Sequence, residues 1–269
     1  MNSSEKIDTF QKLISLTPIS DNEFTANSPQ YNWGRVYGGQ VVAQALQAAK
    51  QTVDPKYQVH SIHAYFIRGG TSDELIKFEV DRLRDGRSFV TRRVVALQTS
   101  GAILNLSASF QIDESGEKIQ TLSLPANLPD PEQIPSENWS EIIERKVVPA
   151  GLLEIGHGVW LRLNGETDTE SSTFDLGLVY ASDDAPFDAA ARLHPKFDGT
   201  WETDEAPSFF GASLDHAVWF HQQGNPYDWQ FHHHIGVTHM GNRGLATGAI
   251  YSKDGMHLAT VTQEILQRF

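Results

Sequence analysis

The sequence predicts an α+β fold that uses one plan twice: a long helix followed by an antiparallel meander of strands. Three observations predict it. A helical run opens at Gly38-Gly39-Gln40, strand-like segments follow it, and the same order returns after a proline-rich connector with some of the same residues.

In the first copy, Val42, Ala45, Leu46 and Ala49 recur at helical spacing in a run ending near Thr52. The paired glycines mark its start and permit close backbone approach. Strands are expected over 58–68, 75–84, 87–98 and 102–113. In the last, Leu104, Leu106, Ala108, Phe110 and Ile112 alternate with Asn105, Ser107, Ser109 and Gln111, the period of a half-buried strand. In the second copy a helix over about 175–192 precedes strands near 208–222, 229–240, 243–253 and 256–267. The run from His63 to Arg68 resembles that from His216 to His221, and Arg87-Ser88-Phe89-Val90-Thr91 resembles Arg243-Gly244-Leu245-Ala246-Thr247. The expected units are therefore 1–117 and 151–269. The connector, 118–150, carries Pro125, Pro129, Pro131, Pro135 and Pro149, and a short helix is expected in it near Trp139–Arg145. A second irregular stretch, 194–207, reads as a long acidic loop. Each sheet alone leaves an open edge, which joining the copies covers.

Hydrophobic residues are 39% and charged residues 20% of the 269, a globular composition. No apolar run reaches the ~20 residues of a membrane span. The N-terminal residues lack the pattern of a signal peptide, and the last three form no peroxisomal or retention signal, so a cytoplasmic location is expected. Cysteine is absent, which excludes disulfides, a thiolate nucleophile and sulfur-ligated zinc. The net charge of −13 argues against nucleic acid and anionic membrane as partners. Nearly all of it lies between 119 and 208, with 5 basic and 17 acidic residues; residues 1–118 are balanced at 13 and 13. In that balanced part Arg82, Arg84, Arg87, Arg92 and Arg93 crowd together, either as a phosphate-binding patch or as a solvated strand pair.

Two polar residues stand out. Leu176, Val179, Tyr180, Asp183 and Phe187 share one helix face, so Asp183 points where an unpaired carboxylate is costly. The other reading is a shifted register with Asp183 solvated beside Asp184. On the last strand Gln263 shares a face with Ala259, Val261 and Ile265, where a structural glutamine bonding to backbone is the ordinary case. Ser213 carries no signal of its own. His232, His233, His234 and His239 suggest a metal, but alternation puts His233 and His239 opposite His232 and His234, and no third ligand is evident. No metal or cofactor is expected. Asp215-His216 resembles an acid–base pair, yet neighbours on a strand face opposite ways, which weakens a Ser213/His216 nucleophile. Trp160, Trp219, Phe209 and Phe220 read as core.

Several segments, in order, resemble the type II (TesB-like) acyl-CoA thioesterases. They are Arg35 to Leu46, His60 to Gly70, Leu83 to Phe89 with Arg92-Arg93, Val159-Trp160-Leu161-Arg162, Tyr180-Ala181-Ser182-Asp183, Ser213 to His221, and Thr262-Gln263-Glu264. The resemblance spans roughly 30–269 and fails mainly in the connector and the acidic loop. It implies a double hotdog fold, each antiparallel sheet wrapping a central helix, and assembly of the fused unit into homo-oligomers. It implies hydrolysis of acyl-CoA by an activated water, with Asp183, Ser213 and Gln263 as the catalytic set. The hydroxyl residue is usually Thr in that family; Ser keeps the same donor and acceptor. A hotdog hydratase or dehydratase, or a non-catalytic acyl-CoA binder, is the alternative.

Overall fold

In the computed structural model, residues 6–165, 173–197 and 209–269 are described. The chain opens with α1 (Phe10–Ile14), β1 (Thr17–Ser20) and β2 (Glu23–Ala26), none of which the hydrophobic pattern predicts. Then come α2 (Gly38–Lys50), β3 (Tyr57–Phe66), β4 (Ile76–Asp85), β5 (Phe89–Gln98) and β6 (Gly101–Ile112), as expected to within a few residues.

The second half contains β7 (Ile143–Val147), β8 (His157–Leu163), α3 (Phe174–Ser182), α4 (Asp184–Ala191), β9 (Phe210–Ser213), β10 (Asp215–Phe220), β11 (Gln230–Met240), β12 (Arg243–Ser252) and β13 (His257–Arg268). Three expectations are corrected here. No helix forms over Trp139–Arg145: β7 begins at Ile143 and pairs with β8, Ile143 opposite Leu163, extending the sheet edge. The single strand over 208–222 is interrupted at Leu214, leaving β9 and β10. The single helix over 175–192 breaks at Asp183. Pro186 explains that break, because it has no N–H for the carbonyl of Ser182 and its ring crowds that carbonyl. The acidic loop over 194–207 lies mostly outside the described residues.

The strands join into one antiparallel sheet in the order β1-β2-β4-β5-β6-β3-β10-β13-β12-β11-β8-β7, with β9 also on β13. The seam is β3–β10, where Ala217 lies opposite His63. On either side of it the second half repeats the first half's strand order. Helix α2 packs on β4, β5 and β6, helix α4 on β11, β12 and β13, and α2 meets α3 across the middle. This is the double hotdog.

Helix α2 is buried almost all round, from Gly39 to Ala49 apart from Gln47, because sheet covers one side and α1 and α3 the other. Its alanines let α3 approach. Its buried glutamines are satisfied: Gln40 donates to Ser28 Oγ at 2.7 Å and accepts from Tyr31 Oη, and Gln44 donates to the Leu13 and Asn27 carbonyls. Trp160 and Phe209 are core residues, but Trp219 stands on the outer sheet face with its edge against the ring of His63.

Candidate active site

The break at Asp183 builds the site. Asp183 closes α3 and precedes α4, yet its side chain caps neither. It reaches instead to the first turn of α2, where Oδ2 accepts from the Gly39 N–H at 2.9 Å. The residue preceding α2, Tyr37, makes no side-chain cap, so this carboxylate from the other half fills a vacant acceptor role. Glycine is required twice. A Cβ at Gly38 would lie 2.6 Å from Asp183 Oδ2, and one at Gly39 would lie 2.4 Å from the Tyr180 carbonyl.

Ser213 and Gln263 complete the cluster. The Ser213 hydroxyl donates to Asp183 Oδ1 at 3.2 Å, and Gln263 Nε2 donates to Ser213 Oγ at 2.9 Å. Gln263 occupies the inward face of β13 and is fully buried, as is the alternating apolar set beside it. Ser213 ends β9, just before the interruption at Leu214, whose N–H bonds the Glu264 carbonyl. The displaced Glu264 N–H is taken by Asp215 Oδ1 at 2.7 Å. The structure thus brings together all three residues singled out from the sequence.

Asp183 is only 5% exposed. Burial pushes its carboxyl up from 3.8 to about 7. The bonds from Gly39, Ser213 and Gln263 favour the charged form and oppose that rise, while Asp184 next door adds to it. Asp184 is itself held by Trp139 Nε1 at 2.8 Å and Arg145 Nε at 2.9 Å, and Arg145 also bonds Asp188 at 2.7 Å.

One neighbour was weighed in the sequence only as the partner of a nucleophile. His216 lies on the inward face of β10 beside Gln263 and donates from Nδ1 to Gln263 Oε1 at 2.6 Å; its Nε2 is 2.7 Å from Ser182 Oγ. Burial lowers its pKa to about 4, so it is neutral. It makes no bond to Ser213, which leaves the nucleophile pairing without a contact. A polar residue alternating with Val218 on an apolar face was the available signal.

The other polar candidates sit elsewhere. Arg92 is a packing residue, 1% exposed, bonded to Thr52 and Asp85 at the end of α2. Arg82 is held by Asn22 and Arg93 by Asp81, while Arg84 and Arg87 are exposed. His232 and His234 face inward as alternation requires, but His239 does not follow His233. A bulge between Gly236 and Thr238 adds a residue and turns His239 toward His194, with ring centroids 4.8 Å apart.

Two family models match: the acyl-CoA thioesterase N-terminal domain over residues 27–111 and acyl-CoA thioesterase over residues 142–266. Acyl-CoA thioesterase 2 of Haemophilus influenzae is 32% identical over 99% of both chains. The chain belongs to the acyl-CoA thioesterase family. It is a thioester hydrolase by kinship. Human acyl-coenzyme A thioesterase 8 is 27% identical, with 94% of this chain and 86% of that protein covered. Among solved structures, acyl-CoA thioesterase II TesB2 of Mycobacterium marinum superposes with a TM-score of 0.84 at 32% identity, covering 96% of this chain and 98% of that one. A hot dog fold protein from Alicyclobacillus acidocaldarius gives a TM-score of 0.77 at 16% identity, a likeness of fold alone; 97% of this chain and 98% of that one are covered.

Proposed function

We propose that this thioesterase cleaves acyl-coenzyme A by direct attack of water on the thioester carbonyl, with Asp183 as general base. A carboxyl titrating near neutrality, at the start of α2 and bonded through Ser213 to Gln263, carries the reading. A base works best when its pKa lies near the working pH. A thioester carbonyl is electrophilic enough that water suffices once it is oriented. Asp183, Ser213 and Gln263 together orient that water, with a free lone pair of Asp183 facing its proton. Asp183 takes its proton as oxygen attacks. N–H groups of the first turn of α2 other than that of Gly39, which Asp183 holds, stabilise the oxyanion, since they lack intrahelical acceptors. Collapse of the tetrahedral intermediate expels coenzyme A thiolate, which Asp183 protonates.

The reading extends to a cytoplasmic homo-oligomer of the fused unit, supported by the resemblance. It also extends to two units, 1–117 and 151–269, joined by 118–150; two separate family matches support a two-part chain, although the second match and β7 both begin inside the connector.

The test is thiol release from saturated acyl-CoA esters of increasing chain length, wild type beside Asp183→Asn. The variant is expected to lose about 10²–10⁴ in turnover. Turnover at the wild-type level in a folded variant would remove Asp183 from the role, and coenzyme A esters that bind without cleavage would mark a binding protein.

A further inference from the structure

We infer that His216 and Ser182 are positioning residues for the hydrolysis, setting which way the Gln263 amide faces and so keeping the Ser213 proton on Asp183. The inference rests on the general-base reading given above.

The bonds form a directional chain. From Asp183 Oδ1 it runs to Ser213 Oγ at 3.2 Å, to Gln263 Nε2 at 2.9 Å, from Gln263 Oε1 to His216 Nδ1 at 2.6 Å, and from His216 Nε2 to Ser182 Oγ at 2.7 Å. Ser182 Oγ is also 2.9 Å from the Val179 carbonyl. Ser182 has one proton and two acceptors for it, so the chain has two self-consistent directions.

In the first direction Ser182 donates to His216 Nε2. The neutral imidazole then carries its proton on Nδ1 and donates to Gln263 Oε1. That fixes the amide with Nε2 toward Ser213, whose lone pair is occupied and whose hydroxyl hydrogen points to Asp183. In the second, Ser182 donates to the Val179 carbonyl and the imidazole proton moves to Nε2. His216 Nδ1 becomes an acceptor, the Gln263 amide turns over, and its oxygen takes the Ser213 hydrogen. Asp183 then loses the Ser213 and Gln263 donors and gains nothing. The ionised base therefore requires the first direction. The bond from Gln263 to Asp183 favours the same orientation, and His216, which is fully buried, fixes it from the other end by holding the amide oxygen. The strand register makes the contact obligatory, because Ala217 opposite Thr262 sets His216 beside Gln263.

The charged and titratable groups around the base are Asp184, which follows it in sequence, Arg145, which neutralises Asp184, and the buried Tyr37 phenol at the start of α2. Substitution at His216 leaves all of them in place, so a change in the titration of Asp183 reports the Ser213 and Gln263 bonds.

The experiment compares His216→Asn, His216→Gln and His216→Phe with wild type and Asp183→Asn. Thiol release from a saturated acyl-CoA is followed across pH, with thermal melting as a check on folding. Asn carries its amide nitrogen on Cγ, as His carries Nδ1, and keeps the donor to Gln263. Gln places its amide one atom further along and Phe has none. His216→Asn is expected to stay within about threefold of wild type. His216→Gln and His216→Phe should lose roughly 10–100-fold in kcat with KM little changed. Their acid limb of kcat/KM should also move up by roughly half a pH unit or more, as a donor to the carboxylate is lost. If His216→Phe does not fold, the Asn and Gln pair decides. Equal losses in Asn and Gln, no loss in either, or a fall in kcat with the acid limb unmoved would overturn the positioning role. Retained turnover in Asp183→Asn would instead sink the base itself, whereas its loss beside fully active His216 variants would sink only the positioning.

Discussion

Asp183→Asn should make the protein more stable at pH 8 while disabling it. The carboxyl rises from 3.8 to about 7 on folding, and burial is the largest cause. At about 1.4 kcal/mol per tenfold change in proton affinity, this is a cost of about 4 kcal/mol for folding with the group ionised. The sign follows from the raised value. Below about pH 4 the carboxyl is protonated in both states and folding bears no such cost. As pH rises through 4 to 7 the unfolded chain releases the proton first, and stability falls; above pH 7 the full cost is present. Asparagine never ionises. It can still accept from Gly39, but its amide nitrogen faces the Ser213 hydroxyl, which must turn away and seek another acceptor. The net gain at pH 8 is therefore about 1–3 kcal/mol, or about 2–6 °C in melting temperature for a chain of this size. Thermal melting of both proteins at pH 8, 7, 6 and 5 checks it, because every other titrating group cancels in the difference. The gap should be widest at pH 8 and shrink steadily toward pH 5. Equal melting temperatures at pH 8, or a gap that ignores pH, would show that the buried carboxylate is not under the desolvation on which the mechanism depends.

Three further outcomes follow from the same geometry. The pH profile of kcat/KM should show an acid limb near pH 7, falling about tenfold per pH unit below it; a limb near 4 would mean a solvated base. Gly38→Ala places a methyl 2.6 Å from Asp183 Oδ2 and against the Phe66 ring, and should lower turnover by about 10–100-fold with a smaller change in melting temperature. Turnover left intact in that variant would mean the carboxylate tolerates displacement. Arg145→Leu leaves Asp184 buried without its cation and Asp188 with His157 alone in contact, and denaturant unfolding should register a loss of about 3–5 kcal/mol; the uncompensated Asp184 charge should also push the acid limb higher.

Much of this architecture is legible without coordinates, and the failures have physical causes. Alternation in Leu104 to Ile112 survives folding because the strand faces one apolar layer, and the helical run from Val42 to Ala49 survives although it is buried almost all round. The helix over 175–192 failed on a signal that was present: Pro186 four residues beyond Ser182 removes one bond of the ladder. The connector strand β7 was hidden because proline punctuation reads as loop, whereas an edge strand needs only one partner, here β8. His239 was misplaced because parity assumes an unbroken strand and cannot see a bulge. Asp183 was legible as a polar residue on an apolar helix face; Gln263 gave a weaker signal, because neither face of its strand is strongly apolar in sequence. Ser213 and His216 were not assignable without register, since their meaning lies in which residue of β13 stands beside them.

The helix break and the glycines at the start of α2 solve one problem from two sides. A carboxylate inside an unbroken helix would project along the α3 face, into core that offers it no donor. Breaking the helix at Asp183 lets its side chain reach the first turn of the other repeat's helix, whose N–H groups and dipole favour negative charge. That partner stays available because Tyr37 supplies no cap of its own and because Gly38 and Gly39 leave room for Asp183 and the Tyr180 carbonyl. Burial raises the proton affinity of the base and the helix terminus restrains the rise. Neither repeat holds both parts, so a base poised near neutrality exists only where the two repeats join.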